Sequence, residues 1–406
     1  MRILHLCHRI PYPPNKGEKI RAFHQLKALA ARHEVDLFTL ADERGDQEGR
    51  AALKPYCNQI AVCSVRSAVA RLRALPYLVT GTPLTVPYFY SAELRECVDS
   101  ALRRDSYDRI FVYCSAMAQY VKACRDIPMV TDLVDVDSDK WTQYASYTRF
   151  PWSAVYRREG RTLRRLEREV SEASACVIVT TEREADLLRG ISSRANVHVV
   201  PNGVDPDYFK ASAKVTPPGP TINFTGDMSY FPNQEAARYF AQQVFPLVRK
   251  SVPAARFLIV GRNPGWRVVA LRKIDGVEVT GSVPDVRTYL AMATVSVAPF
   301  SIAAGIQNKI LEAMAYGLPV AGTSRAVQGL SAGVAGIVEI GDDAETLALK
   351  VVALLRNPKL ARSIGQESRR RVAADYSWEP ALERLLSLVE NPWPQGAEIR
   401  DAALLK

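Results

Sequence analysis

Two polar residues, Asn308 and Lys309, occupy the first turn of a helix that we predict over about Gln307 to Tyr316. The backbone N–H groups at a helix start bind anions, and the ammonium group of Lys309 adds a positive charge beside them. Glu312 follows one turn later, where its carboxylate can accept hydrogen bonds from ribose hydroxyl groups. A phosphate at the helix start and a sugar beside this carboxylate together predict a nucleotide-sugar site.

The elements around this helix place its start at the end of a strand. An apolar, β-branched strand is predicted at Thr294–Ala298, and a loop of small residues follows at Ser301–Gly305. Gly305 gives this loop conformational freedom, and Gln307 opens the helix. Gly317 ends the helix, because glycine readily adopts the left-handed conformation of a C-cap. An ordinary βαβ unit with a polar helix start is the alternative interpretation.

The sequence Glu312–Val320 (EAMAYGLPV) resembles the donor-binding loop of family 4 glycosyltransferases, which have the two-domain GT-B fold. In that family another Glu lies eight residues before the position of Glu312 and contacts the transferred hexose. Here that position holds Ala304. A second string, Val200–Asp205 (VPNGVD), resembles the start of the family's donor domain. The resemblance implies a glycosyltransferase, and Ala304 bears on which sugar it transfers.

Composition and charge indicate a globular protein. The chain has 406 residues, of which 48% are hydrophobic and 24% charged, with a formal net charge of +10. No apolar run is long enough to span a membrane, and Met1–Cys7 is too short for the apolar core of a signal peptide. Seven scattered cysteines without a C-x-x-C pair fit a reducing compartment, so we expect a cytoplasmic protein. The five histidines lack metal-ligand spacing, and we expect neither a metal nor another cofactor.

Short apolar strands alternate with amphipathic helices along both halves of the chain. This alternation predicts an α/β protein with two doubly wound, parallel, Rossmann-like sheets. In the first half, strands are predicted at Arg2–Cys7, Glu34–Leu40, Gln59–Val65, Arg109–Cys114, Met129–Leu133 and Cys176–Thr180, with a helix at Ile20–Arg32. In the second half, strands are predicted at Thr221–Thr225, Arg256–Val260, Val277–Thr280, Thr294–Ala298, Pro319–Gly322 and Gly336–Glu339.

Two domains that face a central cleft are what the GT-B resemblance implies. Residues 1–200 would form the acceptor-binding domain, and residues 221–375 the nucleotide-sugar-binding domain. Between them lies a proline-rich segment, residues 201–220, which we interpret as the linker. Residues 376–406 would form a C-terminal helix that crosses back to the first domain, followed by a frayed tail.

A glycine with nearby bases follows the first predicted strand. Gly17 precedes a helix and Arg21 lies one turn into it, so the backbone can approach a phosphate closely. Family 4 enzymes carry a glycine loop here, between acceptor and donor diphosphate, and the resemblance assigns Gly17 and Arg21 to donor binding. A plain strand–helix turn with solvated bases is the alternative. Together with Asp135–Trp141 and Gly305–Lys309, this region resembles the sugar transferases associated with exosortase and PEP-CTERM exopolysaccharide systems.

An acidic run follows the predicted strand Met129–Leu133, at the end where doubly wound sheets bind ligands. Many family 4 enzymes place a His after the preceding strand, but Val112–Met117 contains none. Asp135 and Asp137 are therefore the candidate catalytic residues. Either carboxylate would take the acceptor's proton or stabilise positive charge on the sugar ring. Capping of the loop or of the next helix is the alternative role.

In the predicted nucleotide-sugar-binding domain, the basic residues that bind phosphate in the family are replaced by other residues. Gly226 follows a strand, and family members often carry an Arg next to it and a Lys a few residues later. This chain has Asp227 and Asn233 there. Arg262 and Lys309 are the remaining candidates for the phosphates. Lys309 is also expected to act in catalysis by stabilising the departing diphosphate.

The loop around Val283 resembles the family's base-binding loop, in which backbone groups face the nucleobase.

The motifs predict transfer of a sugar from a nucleotide-sugar to a hydroxyl of a glycan or lipid-linked glycan, in bacterial exopolysaccharide or surface-glycan assembly. The resemblance implies retention of anomeric configuration. The alternatives are a nucleotide-sugar epimerase of the same fold and a non-enzymatic basic protein that binds nucleic acid or a membrane. Nucleic acid is not the expected partner, because no helix-turn-helix, stacking-aromatic or zinc-finger pattern is present.

A basic helix face predicts a membrane surface as a further partner. Its six arginines lie on one broad side of the helix, at Arg157, Arg158, Arg161, Arg164, Arg165 and Arg168. Glu159, Glu167 and Glu169 are expected to offset part of this charge. Ala68–Tyr90 adds apolar and aromatic residues that fit either a lipid groove or ordinary core and loop. Anionic lipids attract such a helix, so peripheral association with the inner membrane is predicted, with a solvated helix as the alternative.

Overall fold

The computed structural model describes residues 1–41, 46–210, 219–303 and 305–393. The chain divides into two compact units, one formed by Met1–Pro201 with the segment from Pro380 onward and the other by Asn202–Glu379. Each unit is built on one parallel sheet. Part of the predicted linker, residues 211–218, and the predicted tail from residue 394 lie outside the described residues.

The first unit contains a seven-stranded sheet in the order β3-β2-β1-β4-β5-β6-β7. Its strands are β1 (Arg2–Cys7), β2 (Glu34–Ala41), β3 (Gln59–Ser64), β4 (Arg109–Tyr113), β5 (Met129–Val134), β6 (Cys176–Val179) and β7 (Val197–Val199). All the strand pairs are parallel. The winding direction reverses between β1 and β4, and ligands bind at the carboxyl ends of strands that flank such a reversal.

Helices cover both faces of this sheet, because its strands are apolar on both sides. Ile3 and Cys7 of β1 pack in one core cluster, whereas Leu4 and Leu6 pack in another. The helices of this unit are α1 (Gly17–Ala30), α2 (Asp46–Leu53), α3 (Ser67–Ala74), α4 (Thr85–Tyr88), α5 (Ala92–Arg104), α6 (Asp137–Ser146), α7 (Trp152–Ala173) and α8 (Glu182–Arg189).

The second unit contains a six-stranded parallel sheet in the order β10-β9-β8-β11-β12-β13, with its reversal between β8 and β11. The strands are β8 (Thr221–Thr225), β9 (Arg256–Val260), β10 (Val277–Gly281), β11 (Val295–Ala298), β12 (Val320–Gly322) and β13 (Glu339–Ile340). The helices are α9 (Phe231–Tyr239), α10 (Phe245–Ser251), α11 (Trp266–Val269), α12 (Arg287–Ala291), α13 (Asn308–Tyr316), α14 (Ser324–Val327), α15 (Ala332–Ala335), α16 (Ala344–Arg356) and α17 (Pro358–Tyr376).

The last described helix, α18 (Trp378–Glu390), packs into the first unit from Pro380 onward. Leu385 and Val389 are buried in the same core cluster as Ile3 of β1. Arg109, at the start of β4, donates from Nε to the Val389 carbonyl oxygen at 3.1 Å. Apolar burial and this buried guanidinium contact together anchor the helix to the sheet.

Most predicted strands and the α13 helix are confirmed to within about two residues, and two differences have a local cause. The strand predicted at Gly336–Glu339 is wrong over its first three residues, because the turn after α15 continues through Gly336, whose N–H donates to the Ala332 carbonyl oxygen. The three-residue strand Val197–Val199 was not predicted, because it is short and only half-buried.

Candidate active site

The ends of β8 and β9 meet through two glycines in the second unit. The Gly226 N–H donates to the Val260 carbonyl oxygen at 3.0 Å. Gly261 has φ +154°, and a Cβ atom at this residue would lie 1.7 Å from the Gly226 carbonyl oxygen. Only glycine permits this approach, so the two loops that follow these strands are held side by side.

Arg262 and Asp227, the residues that follow these glycines, form an ion pair. The Arg262 Nε donates to Asp227 Oδ2 at 3.0 Å. Burial raises the pKa of Asp227, but hydrogen bonds from Ser229 and the charge of Arg262 outweigh that effect and leave the pKa below its ordinary value. The Arg262 guanidinium is thereby positioned beside the residue where the family often has an arginine.

Lys309 lies beside Asn233, just as Arg262 lies beside Asp227. Its Nζ donates to Asn233 Oδ1 at 2.8 Å and lies 4.5 Å from the centroid of the Phe300 ring. Burial lowers the pKa of Lys309 to about 8, and the nearby Glu312 carboxylate opposes this shift. The ammonium group of Lys309 therefore lies next to the residue where the family often has a lysine.

The start of α13 provides backbone donors near these bases. Gln307 is its N-cap residue, and within the described residues no side-chain cap hydrogen bond closes this helix start. The Asn308 Oδ1 accepts a hydrogen bond from Asn202 Nδ2 at 3.0 Å, which fixes the Asn308 side chain. Glu312 lies in the next turn, and burial raises its pKa while Lys309 opposes the shift. Gly317 ends the helix in the left-handed conformation, as predicted, with φ +92°.

Two further predicted donor residues lie at the same edge of this sheet. Gly305 has φ +59°, which fits the conformational freedom expected of this loop. Val283 is half-buried and follows Gly281, the last residue of β10. Because the strands are parallel, Gly226, Arg262 and Val283 all follow carboxyl ends at one sheet edge. Ala304 lies outside the described residues.

The first unit presents a different set of groups at its own reversal. His8 directly follows β1, and its ring stacks on Tyr113, the last residue of β4, with centroids 5.6 Å apart. It also meets the edge of Phe89 at 5.2 Å. Burial lowers the pKa of His8 to about 3, Arg9 lowers it further, and Asp137 opposes both effects. The imidazole is therefore neutral at pH 7.

His8 is the residue of this site that sequence reasoning missed. The family resemblance implies a His after the strand Arg109–Cys114, and Val112–Met117 contains none. The structure instead brings His8 to that strand end from β1, which pairs directly with β4. The rule that ligands meet the carboxyl ends of strands next to a reversal could have found it, since His8 follows the first strand.

The two candidate carboxylates lie just after β5. The Asp135 Oδ1 accepts a hydrogen bond from the Thr180 hydroxyl at 3.0 Å, and burial raises the pKa of Asp135, which Lys140 and Thr180 oppose. Asp137 is the first residue of α6, and its Oδ1 accepts from the Lys140 ammonium at 2.9 Å. Both carboxylates are half-buried and remain candidates for proton transfer.

Two buried glutamates bind the backbone at the start of α6, a role considered for the aspartates. The Val136 N–H donates to Glu184 Oε2 at 2.6 Å, and the Ser138 N–H donates to Glu167 Oε1 at 2.9 Å. Burial raises the pKa of Glu167 to about 8 and that of Glu184 to about 7, although hydrogen bonds from the backbone oppose both shifts. These contacts hold the loop that carries the candidate aspartates.

Arg21 and Gly17 both lie on α1, and their predicted contacts with the donor diphosphate stay predictions. The Arg21 side chain is buried, and its Nε donates to Asp132 Oδ2 at 2.8 Å, beside Gln25. This buried ion pair holds the Arg21 guanidinium at the end of β5, which it helps to position. Gly17 is exposed as the first residue of α1.

Two properties of the described ranges bear on partners. No helix there has both the length and the apolar content needed to cross a bilayer. The same residues bring together no group of three or more His, Cys, Asp and Glu side chains suited to a metal ion.

Solved structures share this fold over almost the whole chain. A sucrose-phosphate synthase from Thermosynechococcus elongatus is 19% identical, with a TM-score of 0.70 and coverage of 96% of this chain and 98% of that one. The Anabaena protein HepE, in complex with UDP-glucose, is 16% identical, with a TM-score of 0.66 and coverage of 95% and 98%.

A curated relative is similar over a shorter segment. It is a GDP-mannose-dependent monoacylated alpha-(1-6)-phosphatidylinositol monomannoside mannosyltransferase of Corynebacterium glutamicum, 29% identical over 161 residues. That segment covers 37% of this chain and 42% of the relative, so the match spans less than half of the relative's length.

Two family models match consecutive parts of the chain. Residues 17–203 match the model described as a Glycosyl transferase 4-like domain, and residues 219–357 match the model described as Glycosyl transferases group 1. The two matches fall on the two Rossmann-like units described above. With two glycosyltransferase domains in succession on two parallel sheets, the chain belongs to the GT-B glycosyltransferases.

Proposed function

We propose that the protein transfers a hexosyl group from a nucleotide-sugar to a hydroxyl acceptor, with retention of anomeric configuration. The observation that carries this proposal is the pair of bases at the second unit's reversal. Arg262 lies 3.0 Å from Asp227, and Lys309 lies 2.8 Å from Asn233. These contacts put positive charge beside the two residues that replace the family's phosphate-binding bases.

The donor's diphosphate is the group that this charge fits. The start of α13 adds backbone N–H donors and the positive end of a helix dipole, both of which favour phosphate. Gly226 and Gly305 would let the backbone approach it, and Glu312 would accept the ribose hydroxyls. The base would lie against the backbone of Val283. Lys309 and the helix start would then stabilise the negative charge that develops as the diphosphate departs.

The acceptor hydroxyl is assigned to the first unit. Burial raises the pKa of Asp135, which suits this carboxyl for taking the acceptor's proton. Asp137, held by Lys140, would stabilise positive charge on the sugar ring. The neutral imidazole of His8 would hydrogen-bond a substrate hydroxyl, and the exposed backbone of Gly17 would approach the donor diphosphate. Following the GT-B resemblance, we propose that none of these steps uses a metal ion.

The names of similar proteins support a hexose donor. The Corynebacterium relative is named as GDP-mannose-dependent, and HepE is described in complex with UDP-glucose. The resemblance to the exosortase-associated group supports a role in bacterial exopolysaccharide or surface-glycan assembly, with a glycan or lipid-linked glycan as acceptor. This assignment concerns the pathway and is separate from the donor chemistry.

A donor panel with the purified protein tests the proposal. We expect saturation-transfer NMR to show contact with one of UDP-glucose and GDP-mannose, with slow hydrolysis of the same donor. Lys309→Ala should weaken the binding signal and slow the hydrolysis by about 10²–10³, whereas Lys359→Ala, at an exposed residue of α17, should change neither. Binding of no nucleotide-sugar in a broader panel, or equal signals in Lys309→Ala and the native protein, would overturn the donor assignment.

A further inference from the structure

A cavity of about 320 Å³ lies in the first unit, where β3 ends and α3 and α5 begin. A cavity of this size can enclose a small molecule or one group of a larger ligand. None of its lining residues belongs to the proposed donor site or to the groups around Asp135. Those with polar side chains are Ser64, Arg66, Arg73, Tyr90 and Ser91.

Arg73 of α3 fixes one wall of this cavity. Its Nε donates to the Pro87 carbonyl oxygen at 2.8 Å, and its Nη2 donates to the carbonyl oxygens of Tyr88 at 3.3 Å and Tyr90 at 2.5 Å. The guanidinium also lies over the Tyr90 ring, 5.7 Å from its centroid. These contacts hold the segment between α4 and α5 against α3.

Tyr120 holds the end of the same segment. Its hydroxyl donates to the Phe89 carbonyl oxygen and accepts from the Ser91 N–H, each at 2.7 Å. The rings of Tyr120 and Tyr90 are nearly parallel, with centroids 6.2 Å apart. The backbone next to the cavity is thus fixed on both sides of Tyr90.

Glu159 of α7 fixes the start of this segment. Its carboxylate accepts hydrogen bonds from the N–H groups of Leu84 at 2.8 Å and Thr85 at 3.0 Å. Glu159 and Glu167 are each only 1% exposed, so the prediction that they offset the surface charge of α7 is wrong. Because the wall is held in place by these contacts, a ligand would not have to order it on binding.

The cavity carries positive charge without a carboxylate partner. Arg73 binds neutral carbonyl oxygens, and its Nη1 makes no hydrogen bond to another described residue. The Arg66 guanidinium is exposed and forms neither a hydrogen bond nor an ion pair within the part of the chain that the structure describes. Glu93, in the first turn of α5, does not line the cavity and lies beside the Cys63 thiol.

An oxyanion is the group that this arrangement fits. Guanidinium groups bind carboxylates and phosphates through paired, charge-assisted hydrogen bonds. Ser91 and Ala92, at the start of the 13-residue helix α5, also line the cavity, and the positive end of a helix dipole favours negative charge. Val65 and Val69 form an apolar part of the lining, against which the carbon atoms of a sugar ring can pack.

The cavity lies at the same sheet edge as His8. Cys7 of β1 pairs with Thr39 of β2, which pairs with Val62 of β3. The carboxyl ends of β1 and β3 are therefore about 10 Å apart, twice the spacing of neighbouring strands. The segment that walls the cavity reaches His8 as well, because Phe89 meets the edge of the imidazole at 5.2 Å and the next residue lines the cavity.

We propose that this cavity binds a carboxylate or phosphate group of the acceptor glycan through Arg66 and Arg73, while another part of the acceptor lies beside His8. A short oligosaccharide can span the distance between the two places. The inference rests on the proposed transfer reaction and adds the substrate class, an anionic glycan as acceptor. A neutral acceptor would leave both guanidinium groups without a counter-ion.

Calorimetry with the full chain and no donor tests the requirement for charge. The ligands are glucose, glucuronate, glucose 6-phosphate and inorganic phosphate. We expect one of the two charged sugars to bind at least about tenfold more tightly than glucose, because glucose lacks the charged hydrogen-bond acceptor. Whichever charged sugar binds more tightly identifies a carboxylate or a phosphate as the recognised group. Inorganic phosphate should bind more weakly than that sugar, because it has no ring to pack on the apolar lining.

Substitution of Arg66 tests the site of binding. Arg66→Gln should weaken binding of the preferred charged sugar at least about tenfold without changing the melting temperature, since the side chain is exposed. Arg71→Gln removes the same charge from an exposed residue of α3 that does not line the cavity, and should bind as the native protein does. Lys309→Ala should also leave this binding unchanged, which separates the cavity from the proposed donor site.

A matched pair of variants at Ala92 leaves both arginines in place. Ala92→Glu puts a carboxylate at the exposed first residue of α5, where it repels an anion in the cavity but suits the helix start. Binding of the preferred charged sugar should fall at least about tenfold. Ala92→Gln introduces a side chain of nearly the same size without the charge, and should bind as the native protein does. Equal affinities of the two variants would overturn the electrostatic role of the cavity.

The other outcomes separate this inference from the proposed function. Equal affinity for glucose and both charged sugars overturns the inference, and so does unchanged affinity in Arg66→Gln. Inorganic phosphate that binds as tightly as the preferred sugar overturns the acceptor assignment and leaves a general anion site. Normal donor binding with no charged sugar bound overturns the cavity assignment alone. Charged sugars that bind as expected, with no nucleotide-sugar bound in the donor panel, overturn the transfer reaction and the acceptor role but support the anion site.

Discussion

The two sheet reversals carry different chemistry, although the sheets have the same topology. At the second unit's reversal, glycines bring two loops into contact, Arg262 pairs with Asp227, and Lys309 lies in the first turn of α13. At the first unit's reversal, an imidazole stacks on an aromatic ring and carboxylates follow the next strand. The former is suited to holding an anion with backbone donors and fixed charge. The latter is suited to moving a proton, since burial raises the pKa of the Asp135 carboxyl.

One arrangement recurs at both reversals. Three of the functional groups that are missing from their family positions have a chemically similar group beside that position, reached from another strand end. Arg262 reaches Asp227 from the end of β9, Lys309 reaches Asn233 from the helix after β11, and His8 reaches the end of β4 from β1. The same type of functional group can therefore be present at a site even when the sequence motif that usually supplies it is absent.

The largest expected effect comes from a substitution at the second unit's reversal, where we propose that the donor diphosphate binds. Lys309→Ala should lower turnover by about 10²–10³, because a fixed donor to the departing diphosphate is lost. Steady-state kinetics with the donor identified by the panel measures this, with Lys359→Ala as the control. If turnover stays within a few-fold of the native value, the diphosphate is stabilised elsewhere, and Arg262 becomes the residue to substitute next.

The carboxylates of the first unit come next. Asp135→Asn or Asp137→Asn should cut transfer at least about 10²-fold, because the neutral amide can neither take a proton at residue 135 nor stabilise positive charge at residue 137. Nucleotide affinity and the melting temperature should both be unchanged, since Glu167 and Glu184 hold the start of α6. Asp186→Asn, on α8 of the same unit, is the matched control. A parallel fall in activity and melting temperature would mean that the aspartates only support the loop.

Glu312 tests the ribose contact. Glu312→Ala should weaken nucleotide binding by about 1–3 kcal/mol, through loss of a hydrogen bond to a charged group. Calorimetry with the free nucleoside diphosphate measures this without any turnover, and Glu345→Ala is the control. Unchanged affinity would remove Glu312 from the donor site and leave the EAMAYGLPV segment as an ordinary βαβ helix.

The sequence predicted the fold more fully than the site, and for a physical reason. The strand Arg256–Val260 is a run of apolar residues after its first position, and both of its ends match the prediction because burial on two faces leaves a local signature. The start of α13 was also visible, since its glycines and polar residues lie close together in the chain.

The contacts of the first unit were less visible, because they join residues far apart in sequence. The pair Arg21–Asp132 spans 111 positions, so a base near Gly17 looked available for phosphate when it is buried against β5. His8 gained its place only from the pairing of β1 with β4. The capping by Glu184 likewise requires knowledge of which helix packs beside α6. Helix starts and turns can be predicted from residues that are close together in the sequence. The partners of side chains such as Arg21 depend on which strands and helices pack together, so the sequence pattern does not show them.

Substitution of His8 should lower the rate of transfer less than substitution of Asp135 or Asp137. His8→Phe keeps a ring that can stack on Tyr113 but removes both nitrogens, so transfer should fall by about tenfold, the scale of one lost hydrogen bond. Because burial lowers the pKa of His8 to about 3, no change in the pH profile between 6 and 8 should accompany this loss. His24→Phe, on α1, is the control. Full activity in His8→Phe would leave the ring as packing beneath the site.

The smallest expected effect is a dependence of nucleotide affinity on pH, caused by the titration of Lys309. Burial lowers the pKa of Lys309 to about 8, so the ammonium is charged below that pH and neutral above it. If only the charged form binds the diphosphate, affinity should fall by about threefold between pH 7.5 and 8.5, from the fraction protonated at each pH. Calorimetry with the nucleoside diphosphate across this range measures the change. Lys309→Arg keeps its charge throughout and should show a flat profile, because a guanidinium does not titrate here. A native profile as flat as that of Lys309→Arg would mean that the Lys309 charge does not bind phosphate, and would assign that role to Arg262.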